Sequence, residues 1–400
     1  EKQLASYEGE KMTKLDELIQ ELCPDGVEFV SMNELLKRKQ ISTITPTIKV
    51  KRNDYLDIGE TPIISQEIEY ISGYCNFHDK NIPCGNYVCF GDHSEHIKYI
   101  NFSFVQGADG LKIMRTNEST ISSRYLFHAL SSKYQRHNNY ERHFKYLTDT
   151  IIPVPPLPVQ REIVRILDNF TELTAELTAE LTARKKQYAY YRDKLLTHSS
   201  ETKICKLADV CESIADGDHM PPPKADDGIP FITISNITEQ NKIDFSNTMF
   251  VPSSYYDALA DKRKPHSGDI LYTVVGSYGI PVCIEQDTKF VFQRHIAILR
   301  PRSEVIKARY MFHAMQSGAF KAQADKAAKG AAQKTIGLSS LAEMTLPVPD
   351  MCIQERLIHV LDNFDAICTD LNIGLPAEIE ARQKQYEYYR DKLLSFEEKT

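Results

Sequence analysis

The chain has 400 residues, is 42% hydrophobic and 26% charged, and carries a formal net charge of −7. Its length supports two or three domains with more than one core, and its composition excludes disordered, collagenous and fibrous classes. No run approaches eighteen apolar residues and no apolar leader core opens the chain, so a soluble, cytoplasmic protein is expected.

Residues 1–11 are either native or an expression remnant ahead of Met12. Over residues 27–123, short apolar and β-branched runs (TPIISQEIEYISGY, YVCFGDH) are punctuated by Gly, Pro, Asn and Asp, which predicts short strands and turns. A helical RYLFHAL segment follows. From about Val159 to Leu196, apolar residues at Ile163, Ile166, Leu167, Phe170, Leu173, Leu177, Leu181, Tyr188, Tyr191 and Leu195 form one stripe. That pattern predicts a helix about 55 Å long. Inside it the tetrapeptide TAEL occurs twice, at Thr174–Leu177 and Thr178–Leu181.

Residues 203–305 return to strand-and-turn patterning (IPFITISNI, GDILYTVVGSYGIPVCI, FVFQRHIAILRP), and a helical RYMFHAM segment follows. A second stripe runs through Leu357, Val360, Leu361, Phe364, Ile367, Leu371, Ile379, Tyr386, Tyr389 and Leu393. Gly374 and Pro376 interrupt it, so a kink or break is expected near mid-length. Two long amphipathic helices in one chain most simply pack against each other, with Tyr188 and Tyr191 expected in the core. The tail at Glu397, Glu398 and Lys399 is expected to fray.

The order is thus β-rich block, long helix, β-rich block, long helix, and the sequence itself repeats. Ile152–Phe170 matches Leu346–Phe364 at 8 of 19 positions, Ala183–Leu196 matches Ala381–Leu394 at 12 of 14, and Arg124–Leu130 matches Arg309–Met315 at 5 of 7. The offsets are 185 for the last pair, 194 for the first and 198 for the second, so four residues separate the two helical segments in length.

Charge is uneven along this repeat. Residues 1–30 carry 3 basic and 8 acidic groups and residues 346–400 carry 6 and 11, whereas 31–150 carry 15 and 13 and 201–345 carry 17 and 17. A uniformly basic coat is excluded; a local basic surface is not. Basic clusters lie at Lys37–Gln40 (with Lys39), at 49–55 (Lys49, Lys51, Arg52), at Asp261–Lys264 and at Lys326–Lys334 (Lys329, Gln333, Lys334). The nine cysteines are scattered and odd in number, which argues against a disulfide framework or a zinc cluster. No dinucleotide, P-loop, amino-methyltransferase or hydrolase motif occurs. His93 and His96 suggest polar contacts rather than a metal. Nothing here builds an autonomous enzyme; a coiled-coil scaffold with no DNA role is the alternative reading.

The duplicated Pro-Val-Pro lead into a helix, the duplicated QY-x-YYRDKLL and the TAEL tetrapeptides carry a specific likeness. So do YISGY…FGDHSEHIKY…GADGLKI and DGDHMPPPKADDGIPFITISNI…VGSYGIPV. On these motifs the chain resembles the DNA-sequence-specificity subunit of type I restriction–modification systems, in the subfamily with TAEL repeats, over about residues 12–396. The resemblance implies an α+β fold in which two duplicated β-rich target-recognition domains are separated by two long antiparallel helices forming a coiled coil. The implied boundaries are 12–152 for the first recognition domain, 153–198 for the spacer helix, 199–346 for the second domain and 347–400 for the C-terminal helix.

The same resemblance implies a non-catalytic subunit that reads a bipartite, asymmetric duplex DNA sequence. Two methyltransferase subunits would methylate adenine N6, and up to two translocase–nuclease subunits would cleave. S-adenosylmethionine, ATP and Mg would be held by those partners, with no cofactor, metal or membrane for this chain. The implied DNA face takes in the turns Gly91–Asp92–His93 and Gly276–Ser277–Tyr278 with Lys98, His219, Lys224, Lys264, Arg294, Lys329, Gln333 and Lys334. Gln160, Gln187, Tyr190, Arg192 and their repeats Gln354, Gln385, Tyr388, Arg390 would face partner subunits. Thr174, Leu177, Thr178 and Leu181 would set spacer length. The first block lacks the Ser-rich turn that ends the second, so its last DNA-proximal loop is left without a candidate.

Overall fold

The computed structural model describes residues 14–46, 48–76, 81–107, 110–197, 202–217, 222–238, 240–330, 333–370 and 373–399. The chain forms two compact units. The first comprises residues 1–176 with 379–400, and the second residues 177–378. Each is therefore one β-rich block completed by a helical segment that belongs to the other sequence repeat.

In the first unit a four-stranded antiparallel sheet has the order Ile41–Ile44, Leu111–Thr116, Tyr87–Gly91, Ile97–Ile100. A three-stranded sheet centres on Thr61–Ile64, antiparallel to Gly73–Cys75 and parallel to Val105–Gln106. A two-stranded ladder of Phe29–Ser31 with Ile151–Pro153 ties the beginning of the block to its end. Every residue of Tyr87–Gly91 is buried, as expected of a central strand covered on both faces.

The second unit repeats this plan. Its four-stranded sheet runs Cys211–Asp216, Ile296–Pro301, Ile270–Thr273, Pro281–Cys283. Its three-stranded sheet places Ile229–Ile232 antiparallel to Met249–Val251 and parallel to Val291–Phe292. Lys203–Lys206 pairs with Thr345–Val348. The duplication seen in the helices thus extends through blocks whose sequences hide it.

The central helix runs Leu157–Leu196, with Pro158 in its first turn, where a missing N–H costs nothing. Val159, Ile163 and Leu167 are fully buried in the first unit's core with Leu393 and Leu394, each burial contributing about 1.5–3 kcal/mol. The expected C-terminal helix is two helices, Met351–Thr369 and Leu375–Leu393, and Pro376 sits in the first turn of the second. The tail does not fray: Val27 N donates to Glu397 O at 2.9 Å and Lys399 N to Val27 O at 3.0 Å.

Matching aromatic pairs seat the helices. Phe170 stacks on Tyr389 in the first unit (5.2 Å, 20°), and Tyr191 stacks on Phe364 in the second (5.9 Å, 20°). Tyr191 is nevertheless 38% exposed rather than core, because the buried line turns from Tyr188 through Arg192 to Leu196 at four-residue steps.

Candidate nucleic-acid interface

Two constellations recur in both units: a polar network around a buried histidine and a hairpin tip packed against the segment after the RY-F-HA helix. In the first unit that helix is Ser123–Lys133. Arg124 Nε and His128 Nε2 lie 2.7 and 3.0 Å from Asp168 Oδ1, and Tyr386 Oη lies 2.9 Å from His128 Nδ1. In the second it is Ala308–Met315, where Arg309 Nε and His313 Nε2 are each 2.6 Å from Asp362 Oδ1 and Tyr188 Oη is 2.9 Å from His313 Nδ1.

Burial pulls both imidazoles below their ordinary value, so the rings are neutral. A carboxylate only accepts, so Nε2–H donates to Asp and Nδ1 accepts from Tyr Oη–H. Burial alone would raise the Asp168 and Asp362 carboxyls, but the bonds from His and Arg outweigh it and hold both low. In each unit the closing tyrosine comes from the other sequence repeat. The network welds each block to its helices.

Gln160 and Gln354 act in the same structural way. Gln160 accepts from Ser122 N and donates to the carbonyls of Thr120 and Pro155; Gln354 accepts from Lys307 N and donates to those of Val305 and Pro349. Both are fully buried, so neither meets a partner subunit as the resemblance implied. Arg192 is also buried, lying over the Tyr188 ring at 5.2 Å; Arg390 repeats this over Tyr386 at 5.7 Å. Tyr190 and Tyr388 are each 62% exposed. Gln187 and Gln385 accept from Arg184 and Arg382 on their own helices.

The hairpin tips join equivalent strands: residues 92–96 connect Tyr87–Gly91 to Ile97–Ile100, and 274–280 connect Ile270–Thr273 to Pro281–Cys283. In the second unit Gly276 N donates to Lys334 O at 3.0 Å, Tyr278 Oη to Asp325 at 2.9 Å, and Val275 bridges Thr335. Gly276–Tyr278 is therefore brought together with Lys329, Gln333 and Lys334 as one surface, on which those three side chains are exposed. Gly330 is required there: its φ is +123°, and a Cβ would lie 2.3 Å from Gln333 O.

In the first unit the tip holds residues 134–145. Asp92 Oδ1 accepts from Phe144 N at 2.8 Å, His93 Nδ1 lies 2.9 Å from Glu141 O, and His96 Nδ1 lies 3.2 Å from Arg136. Glu95, 3% exposed, accepts from Tyr134 Oη (2.5 Å), His137 N (2.8 Å) and Asn138 N (2.8 Å). Burial would raise the Glu95 carboxyl, yet these bonds win and hold it at about 2. Because the folded value is depressed, the anchor contributes fully above the unfolded range near 4.3 and is lost as pH falls toward about 2. Glu95→Ala is expected to speed hydrogen exchange at the His137 and Asn138 amides by at least tenfold at neutral pH, with the sheet amides unchanged.

Other sequence candidates fare differently. Lys98 is 5% exposed and donates to the carbonyls of Ser65 and Glu69; it shares a strand face with buried Ile100, which removes it from any DNA surface. Arg52 is ion-paired with Glu67 at 2.6 Å, and Lys264 donates to Asp257 O at 3.1 Å. Lys39, Lys49, Lys51, Lys224 and Arg294 are exposed but belong to neither tip, and His219 lies outside the described residues. Sequence patterning did not single out segment 134–145; its signal is a YQRHNNYERH run of Asn, Arg, His and Tyr directly after a helix.

Two β-rich units of one topology, each presenting a polar hairpin tip, define a duplicated module. The chain matches the family described as type I restriction modification DNA specificity domain over residues 24–184 and 199–381, and it belongs to that family. The specificity subunit of the Escherichia coli type I restriction enzyme EcoR124I/EcoR124II is 30% identical over 428 residues, covering 96% of this chain and 98% of its own. A putative type I restriction enzyme specificity subunit of Haemophilus influenzae is 32% identical over 258 residues, 61% of this chain and 63% of its own.

Among solved structures, the S subunit of a type I restriction–modification system from M. genitalium aligns with a TM-score of 0.52 at 13% identity, over 92% of this chain and 96% of that one. A chain from work on assembly and conformational transition of the type I R-M system aligns with a TM-score of 0.54 at 16% identity, over 93% and 98%. Both support the fold. Among the described residues, no helix is long and apolar enough to cross a membrane.

Proposed function

We propose that this chain is the DNA-reading subunit of a type I restriction–modification enzyme, each unit reading one half of a bipartite, asymmetric duplex sequence. The observation that carries this reading is the pair of equivalent tips with unlike chemistry. One scaffold built twice presents Lys329, Gln333 and Lys334 at one tip and an Asn-, Arg- and Tyr-rich segment at the other. Identical scaffolds suit two comparable half-sites; unlike side chains suit two different base sequences.

Adenine N6 methylation belongs to two methyltransferase subunits, and cleavage to as many as two translocase–nuclease subunits. S-adenosylmethionine, ATP and Mg reside on those partners, and the complex works in the cytoplasm. Exposed Tyr190 and Tyr388, at equal positions on the repeat, are the faces offered to the two methyltransferase subunits, with Gln187 and Gln385 beside them. With a net charge of −7 the isolated chain neutralises few phosphates, so binding is weak until partners clamp the duplex. Gel-shift competition with the cognate methyltransferase subunits tests this: selected duplexes should outcompete random DNA at least a thousandfold. A complex for which no duplex competes better than random DNA is a scaffold.

A further inference from the structure

The segment after Lys133 is held at several points by the hairpin beside it. Two of its supports have left-handed backbone at a non-glycine residue, Glu95 (φ 57°) and Asn138 (φ 53°), and they are joined by the Asn138 N to Glu95 Oε1 bond of 2.8 Å. Left-handed backbone is uncommon outside glycine and persists where surrounding structure holds it. Here the enforcement is dense. His137 stacks on Tyr146 at 3.9 Å, fully buried His143 bonds Asn139 Oδ1 through Nε2 at 2.7 Å, and Asn139 Nδ2 donates to Glu141 at 3.0 Å. Asn139 is thus consumed in holding the loop.

What the loop presents outward is of a different kind. Tyr140 is 93% exposed, a large aromatic kept in water, with its ring stacked on His93 at 5.4 Å. Gln135, Arg136, Asn138 and Arg142 are exposed beside it. Among the described residues, no intramolecular hydrogen bond engages the side chains of Gln135, Asn138 or Arg142. Amide, guanidinium and aromatic groups on a pre-organised loop match base edges and phosphates of duplex DNA.

Resting on the proposed function, we infer that residues 135–142 are the base-reading element of the first unit. Asn138 and Gln135 meet base edges in the major groove, Tyr140 gives an apolar contact of the kind that selects a thymine methyl, and Arg142 positions on phosphate. Asn139, His143 and Glu95 are positioning residues that fix the loop.

The test assembles the full chain with its methyltransferase subunits and selects methylated duplexes from a random library. Gln135→Ala with Tyr140→Ala should relax one or two positions of a single half-site, discrimination there falling about 5- to 150-fold, while the other half-site and the spacer stay as in wild type. Arg142→Ala should leave the motif intact, weaken all sites alike and lower the salt slope by about one. Both residues of the double variant are surface groups, and an unchanged melting temperature confirms folding. If the double variant selects the wild-type motif at both halves, the loop assignment is overturned. If wild type itself selects no motif, the DNA-reading function falls and takes this assignment with it, an outcome visible before any variant is made.

Discussion

Insertion of one further TAEL tetrapeptide after Leu181 lengthens the unread spacer of the recognised sequence by one base pair. Four helical residues add about 6 Å and about 400°, a net turn of roughly 40°. One base pair adds about 3.4 Å and roughly 34–36°. The insertion therefore rotates the C-terminal part of the helix by nearly one base-pair step. It falls between two sets of anchors that remain whole: Phe170 with Tyr389 in the first unit, Tyr188 with His313 in the second. Between those anchors Leu173 is 38% exposed, and Leu177 and Leu181 are only half-buried, so no fully buried side chain moves into a new environment. Selection of methylated sites with the inserted variant measures the spacer directly, and a spacer of unchanged length would falsify the helix arithmetic.

His128→Ala and His313→Ala each destabilise their own unit by about 3 kcal/mol, combining a cavity with a tyrosine hydroxyl that loses its acceptor. The two losses add, because the networks share no residue. Tyr188→Phe keeps the ring and removes one donor, at about 1–2 kcal/mol. Urea unfolding of the three variants checks the ranking; a His313→Ala protein as stable as wild type contradicts the proton assignment. The same assignment fixes a pH dependence. Both folded histidines titrate below the unfolded value of about 6.5, so the unfolded chain binds protons first as pH falls. The stability they contribute is complete above about pH 6.5 and declines below it, and His313→Ala flattens that decline.

The helices and their duplication were legible because long three-four spacing and near-identical segments survive in sequence. The break before Pro376 was legible from Gly374 and Pro376 themselves. The common topology of the two blocks was not, since strands of two to six residues, several buried on both faces, leave no period to follow. Lys98 and the pair Gln160 and Gln354 show the other failure. A basic or amide side chain reads as surface until the strand face or the helix start beneath it is known, and here backbone carbonyls had claimed all three. The turns at Gly91–His93 and Gly276–Tyr278 were singled out by the family resemblance rather than by local pattern, and they lie at equivalent hairpins. Their packing partner in the first unit was not, because residues 134–145 have no repeat in the second block and pattern as an ordinary polar loop.

The central claim, that two unlike tips on one repeated scaffold read two unlike half-sites, is tested most directly by mapping methylated adenines across the genome of cells carrying this chain with its methyltransferase subunits. Methylation should fall in one motif of two specified parts of different sequence around an unspecified spacer of about six base pairs. A continuous motif, a palindromic one, or methylation without sequence preference would contradict it.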